Sequence, residues 1–161
     1  MFGFGKKKAE LIAPFAGEVI EISAVPDPVF SGGMLGPGFA VIPPEDATLV
    51  EVGAPVSGRL VKVFRTLHAF GIVSDEGVEV LVHIGLETVE LGGEGFEALV
   101  ADGERVEAGQ PVIRVDAAAV RASGRDPITP VVFSKRKQVG ETSVRTGSAK
   151  AGQKVCTGVL A

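Results

Sequence analysis

A chain of 161 residues, 45% hydrophobic and 22% charged, holds enough apolar matter for one core and too little charge to stay disordered. The net charge of −4, with no basic stripe, excludes a general nucleic-acid binder. The longest uncharged stretches are broken at Pro26, Pro28, Pro37, Pro43 and Pro44, which excludes a spanning helix, and the single Cys156 excludes an internal disulfide.

Residues 1–9 read as a flexible tail and 10–161 as a single domain. Lys6-Lys7-Lys8 is not followed by an apolar run, so no signal peptide is expected, and the composition suits a cytoplasmic protein in a reducing compartment. Phe2 and Phe4 beside the lysines suggest membrane contact less than a solvated terminus. The abundance of glycine (22) and proline (10) between apolar runs favours many short strands and turns. Leu11 to Ile22 reads as strand, turn, strand. Val25-Pro26-Asp27-Pro28-Val29-Phe30 is too proline-rich for a central strand. Ser31 to Gly38 is a glycine-rich loop carrying Met34 and Leu35, and Phe39 to Pro43 is a strand.

Two repeats follow. Ala13-Pro14-Phe15-Ala16-Gly17 and the strand after it match Ala54-Pro55-Val56-Ser57-Gly58, 41 residues on. Ala108-Gly109-Gln110 matches Ala151-Gly152-Gln153, 43 residues on. Similar offsets predict duplicated β units inside one globule, and two copies are too few for a solenoid. Further on, Glu87 to Leu91 reads as strand or loop, Gly92 to Gly95 as a turn, and Phe96 to Val100 as a helical turn. Pro111 to Val115 is a strand. Ala117 to Arg121 is a short helix ended by Gly124. Val131 to Phe133 is a strand, Lys135-Arg136-Lys137 a solvated turn, and Val155 to Leu160 a terminal strand in which Cys156 is a buried apolar residue. No long helical period occurs. The predicted class is all-β, an antiparallel sandwich or flattened barrel with minor short helices.

Thr66 to Gly85 holds both histidines of the protein and reads as a β-hairpin, two apolar runs around Ser74-Asp75-Glu76-Gly77. In a symmetric hairpin, opposing residue numbers sum to 151, which sets His68 opposite His83 on one face with Thr66, Phe70, Leu81 and Gly85 nearby. A one-residue bulge in the turn would break this register and separate the pair. Two adjacent imidazoles repel if both are protonated, so at least one is neutral near neutral pH. A neutral imidazole is a nucleophile, and its neighbour can donate hydrogen bonds to an anion. That suits phosphoryl transfer, with Thr66 fixing the tautomer of His68 and Phe64, Phe70 and Leu81 excluding water. Spacing alone does not say which histidine attacks. The rest of the chemistry is sparse. No phosphate-binding glycine loop precedes a helix, and no Ser-His-Asp order stands out. His68 and His83 alone are too few for a tight zinc site, though a partner's carboxylate would complete one.

Val82-His83-Ile84-Gly85-Leu86-Glu87-Thr88-Val89-Glu90-Leu91 with Gly93-Glu94-Gly95-Phe96 resembles the active-site signature of the glucose-type enzyme IIA family of the bacterial phosphoenolpyruvate:sugar phosphotransferase system. Thr66-x-His68-Ala69-Phe70, Val25-Pro26-Asp27-x-Val29-Phe30, Thr129-Pro130-Val131-Val132 and Val106-x-x-Gly109 are similar to its other motifs, and the resemblance spans roughly residues 10–160. It implies a phosphocarrier with a duplicated β-sandwich fold. His83 would accept a phosphoryl group from the phosphohistidine of the carrier protein HPr and pass it to a cysteine on a IIB domain of a sugar permease, of glucose or N-acetylglucosamine type. His68 would stabilise the phosphoryl group and Thr66 orient His68. The implied docking face is Asp27, Phe30, Met34, Leu35, Phe64, Leu81, Glu87 and Val89. No cofactor is required, though zinc at a partner interface fits the histidine pair. The alternative function is a regulatory protein that binds partners through His68, His83 and the apolar face. A zinc peptidase on a similar duplicated fold would need more histidines than the two present.

Overall fold

The computed structural model describes residues 7–161, so Phe2, Phe4 and most of the expected tail lie outside the described residues. Fourteen strands run through these residues in chain order: β1 Lys8–Ile12, β2 Gly17–Glu21, β3 Gly38–Ile42, β4 Leu49–Gly53, β5 Gly58–Val63, β6 Ala69–Ser74, β7 Glu79–His83, β8 Phe96–Ala98, β9 Arg105–Val106, β10 Pro111–Asp116, β11 Thr129–Phe133, β12 Val139–Val144, β13 Gly147–Ala149 and β14 Lys154–Leu160. Two short helices, α1 Pro28–Ser31 and α2 Ala117–Ala122, lie between them.

The strands form three sheets, of order β1-β14-β12, β4-β10-β8 and β13-β2-β3-β11-β7-β6-β5-β9. Every pairing is antiparallel, and none of the sheets closes into a barrel, so the sandwich holds and the flattened barrel does not. All three sheets contribute to one buried cluster, including Leu11 from β1, Val52 from β4, Val19, Phe39, Leu60, Phe70, Val80 and Phe133 from the large sheet, and Val155 from β14. Alternation sets the faces: along β7, Val80 and Val82 are buried while Glu79, Leu81 and His83 are half-exposed.

The repeats account for the topology. Exchanging β13, β2, β3 and β11 for β9, β5, β6 and β7 turns the order of the large sheet into its own reverse, and the two small sheets exchange in the same way. Hydrogen bonds repeat with it. Ile12 N–H donates to the Pro55 carbonyl at 2.9 Å, and Gly53 N–H to the Pro14 carbonyl at 2.8 Å. Ala13 N–H donates to the Gln153 carbonyl at 2.8 Å, and Ala54 N–H to the Gln110 carbonyl at 2.9 Å. The two Ala-Pro turns thus hold each other, and each is held by one Ala-Gly-Gln turn, which leaves few buried backbone groups unpaired.

Several local expectations change. β1 begins at Lys8, inside the expected tail, because Lys8 and Ala9 pair with Val159 and Gly158 of β14. Phe96 to Ala98 is strand rather than helix, since Phe96 pairs with Val115 of β10. Thr88–Leu91 is a 3-10 turn. Within the proline-rich segment, Asp27 caps α1 by accepting the Val29 N–H at 2.9 Å, and Pro28 sits at the first helical position, where its missing N–H costs nothing. β12 carries Gly140, Glu141, Thr142 and Ser143, so no apolar alternation announces it.

Candidate functional site

The histidine hairpin forms with a different register. Phe70 pairs with Val82 and Ala69 with His83, so opposing numbers sum to 152 rather than 151. The cause is the turn. Ser74 N–H donates to the Val78 carbonyl at 2.8 Å, which encloses three residues, and Gly77 takes the left-handed conformation (φ 90°) that such a loop needs. His68 therefore does not face His83 across the ladder. Phe70, expected at the site, turns to the core and is fully buried.

The bulged turn nonetheless fails to separate the pair, because His68 lies one residue beyond β6. Phe64 N–H donates to the Ala69 carbonyl at 3.0 Å, closing a loop in which Leu67 adopts φ 60°. That left-handed step swings His68 off the strand line. The His68 carbonyl accepts the Ile84 N–H at 2.6 Å, tying the histidine segments together. The imidazole centroids are 5.0 Å apart with an interplanar angle of 77°.

The ring hydrogen bonds assign the nitrogens. His83 Nδ1 lies 2.7 Å from the Gly85 carbonyl oxygen. A carbonyl only accepts, so Nδ1 carries the hydrogen and neutral His83 keeps its lone pair on Nε2. His68 Nδ1 lies 2.5 Å from Thr66 Oγ1. When the Thr66 hydroxyl donates, Nε2 of His68 carries the hydrogen and can donate to an anion. Burial, aided by the proximity of His83, lowers the His68 imidazole from 6.5 to about 4, so it is neutral at physiological pH. Burial also lowers the His83 imidazole, against the Gly85 bond and the Asp27 carboxylate, which favour its proton. The site thus offers one neutral nucleophile beside one neutral donor, both in apolar surroundings.

Those surroundings are aromatic. Phe30 on α1 meets the His83 ring edge-on at 5.2 Å between centroids, and Phe64 meets the His68 ring at 5.4 Å. Lys62 Nζ stands 4.4 Å from the centroid of Phe64. Phe30 is buried in a satellite cluster with Val25, Ala40, Leu86 and Ile128, against which Leu35 packs. Met34 and Val89 are exposed, Leu81 is half-buried on the outward face of β7, and Glu87 is exposed with φ 58°. Asp27, Glu87 and Leu86 line a recess with Arg125 and Asp126. Sequence reasoning missed the Gly85 carbonyl, since a backbone acceptor leaves no side-chain signal. It also missed Arg125, whose Nε donates to the Glu87 carbonyl at 3.1 Å and whose guanidinium pairs with Glu90 at 2.7 Å.

Among the described residues no three His, Cys, Asp or Glu side chains are placed to hold a metal ion. His68 and His83 supply two nitrogens at most, too few by themselves for a tight zinc site. Cys156 is buried, and burial pushes its thiol up to about 12, which makes it an inert packing residue. No helix among the described residues is long and apolar enough to cross a membrane.

Known proteins resemble this chain in sequence and fold. The sequence profile described as "phosphoenolpyruvate-dependent sugar phosphotransferase system, EIIA 1" matches residues 9–139. The "PTS system glucose-specific EIIA component" of Bacillus cereus is 41% identical over 162 residues, covering 99% of this chain and 94% of that protein. The protein of the same description from Staphylococcus aureus is 40% identical over 147 residues, covering 89% and 86%. Among solved structures, glucose permease IIA from Mycoplasma capricolum superposes with a TM-score of 0.85 at 39% identity, covering 98% of this chain and 99% of that one. The chain belongs to the EIIA 1 family of the phosphoenolpyruvate-dependent sugar phosphotransferase system, and is a phosphotransferase component of that system.

Proposed function

We propose that the protein carries a phosphoryl group on His83 Nε2 between phospho-HPr and a IIB domain of a glucose-type sugar permease. The observation that carries this reading is the bond from His83 Nδ1–H to the Gly85 carbonyl, which leaves Nε2 as the free nucleophilic nitrogen. In the first step the Nε2 lone pair forms a bond to phosphorus while the N–P bond of the donor phosphohistidine breaks and its electrons return to the donor imidazole. In the second, a cysteine thiolate of the IIB domain attacks phosphorus, the His83 N–P bond breaks, and neutral His83 is restored. His68 Nε2–H stabilises the phosphoryl oxygens, and Thr66 holds His68 in the required tautomer. Phe30 and Phe64 beside the two rings limit access of water to the N–P bond.

The same reading assigns docking of both partners to Asp27, Phe30, Met34, Leu35, Phe64, Leu81, Glu87 and Val89, an apolar surface edged by carboxylates. It needs no cofactor and operates in the cytoplasm, where the phosphoryl donor is made.

The test is to incubate the protein with phosphoenolpyruvate, enzyme I and HPr and to follow an acid-labile adduct by intact mass. Wild type takes one phosphoryl group, His83→Gln takes none, and His68→Gln accepts it but fails to pass it to a IIB domain. Labelling of His83→Gln would assign the wrong nucleophile. No label on any form, with active upstream proteins, would hand the histidine pair to a binding role, and zinc analysis of the purified protein would then decide whether metal takes part.

A further inference from the structure

Four polar residues are buried among those described: His68, Ser74, Thr88 and Thr129. Ser74 closes the hairpin turn and Thr129 bonds locally to the Pro127 carbonyl. Thr88 is different. It is fully buried in the segment that follows His83, and its hydroxyl donates to the Ile84 carbonyl at 2.5 Å. The acceptor belongs to the peptide that leads into Gly85, the residue whose carbonyl holds His83 Nδ1.

The segment is fixed at three successive peptides. Ile84 N–H donates to the His68 carbonyl at 2.6 Å, the Ile84 carbonyl accepts from Thr88, and Leu86 N–H donates to the Asp126 carbonyl at 2.9 Å. The first and third anchors are backbone to backbone, so only the second depends on a side chain. Gly85 itself takes φ 81°, and a Cβ built there would come within 2.5 Å of Thr88 Cγ2 and 3.0 Å of the Asp126 carbonyl oxygen. The Thr88 methyl therefore fills the space that a side chain at position 85 would use, while its hydroxyl fixes the Ile84–Gly85 peptide plane. The Gly85 carbonyl lies in the next plane, Gly85–Leu86, which Asp126 holds only at the Leu86 N–H; its other end is the Gly85 Cα, which the Ile84–Gly85 plane places. A turn of the Ile84–Gly85 plane changes φ at Gly85 and shifts that end, which re-aims the carbonyl, and the Nδ1–H bond depends steeply on angle.

We propose that Thr88 is a positioning residue that sets the tautomer of His83, by locking the Ile84–Gly85 peptide so that the Gly85 carbonyl meets Nδ1–H. Thr88 touches no reacting atom; it acts through Gly85. With the lock removed, neutral His83 redistributes its hydrogen between Nδ1 and Nε2, and the Nε2–H form cannot attack phosphorus. The consequence for phosphoryl transfer rests on the assignment of His83 as acceptor, but the consequence for the tautomer does not.

The experiment compares wild type, Thr88→Val, which keeps the shape without the hydroxyl, and Thr88→Ser, which keeps the hydroxyl. Long-range proton–nitrogen correlation spectra of the imidazoles report which ring nitrogen of His83 carries the hydrogen. Wild type and Thr88→Ser should show His83 as the Nδ1–H form, and Thr88→Val a mixture. Phosphoryl acceptance from phospho-HPr should slow about tenfold in Thr88→Val, the scale of one lost hydrogen bond, with donor affinity unchanged. A Thr88→Val protein that melts earlier but keeps the wild-type imidazole spectrum overturns the proposal and leaves Thr88 a packing residue. Should Thr88→Val not fold, Thr88→Cys, with similar volume and a weak donor, carries the same expectation. If wild type takes no phosphoryl group yet Thr88→Val still shifts the spectrum, the carrier reading fails and the positioning role stands.

Discussion

At the scale of single residues, burial lowers both imidazoles, and the lowering is greatest at His68, where the proximity of His83 adds to it. His68 is 6% exposed and its imidazole is lowered from 6.5 to about 4. The unfolded chain therefore takes up this proton first on acidification. The contribution to stability is intact above pH 6.5, is lost progressively as pH falls towards about 4, and changes no further below that. Thermal melts from pH 7 to pH 4 should show a falling Tm in wild type and a shallower fall in His68→Gln. An equal fall in both would show that other groups carry the acid sensitivity. Thr66 gives a second prediction. Thr66→Val removes the hydroxyl 2.5 Å from His68 Nδ1, so transfer to a IIB domain should slow by about tenfold while acceptance changes less. Stopped-flow or quench-flow transfer rates separate the two steps.

At the scale of elements, one turn and one cap decide where these side chains meet. The histidine pair could be picked out from the hairpin pattern, but the register could not, because Asp75-Glu76-Gly77 accommodates either a two- or a three-residue connection and only the pairing of Phe70 with Val82 shows which forms. The assignment of Phe70 to the site failed for the same reason, since a shift of one residue exchanges the faces of a strand. α1 shows how a local signal positions a distant ring. Asp27 caps four residues, and the third of them, Phe30, lies against His83 at 5.2 Å. Asp27→Ala should cost about 1 kcal/mol in denaturant titrations, by loss of the cap. It should also raise the hydrolysis rate of the phosphorylated protein, because Phe30 is then less firmly held. A destabilised variant with unchanged hydrolysis would mean that Phe30 does not guard the N–P bond.

At the scale of the whole molecule, the duplication makes a quantitative claim. Gln110 Oε1 accepts the Glu107 N–H at 3.1 Å, and Gln153 Oε1 accepts the Lys150 N–H at 3.1 Å, in turns that hold the two equivalent Ala-Pro segments. Gln110→Ala and Gln153→Ala should destabilise by similar amounts, about 1 kcal/mol each, and the double variant by their sum. Urea unfolding of the three variants measures this, and phosphoryl acceptance should be unchanged in all of them. A large inequality would show that the halves repeat in sequence and topology without sharing energetics. The pseudo-symmetry is broken at the site: β7 and β11 are counterparts, yet β7 ends in the half-exposed His83 and β11 in the buried Phe133.

The sequence by itself determined the strand-rich class, the duplication and the candidate histidine pair, because those follow from short-range patterns, while the docking residues and the choice of His83 were implied by the family resemblance. Alternation marks strands, Pro and Gly mark turns, the Ala-Pro and Ala-Gly-Gln repeats mark equivalent units, and two histidines in 161 residues leave few choices. Tertiary structure alone decided how the units exchange strands, where β12 runs without an apolar pattern, and which nitrogen of His83 is free. Those depend on partners distant in sequence or on backbone carbonyls: β14 supplies the pairing that makes β12 a strand, and Gly85 supplies an acceptor that every residue possesses and only its placement beside His83 makes specific.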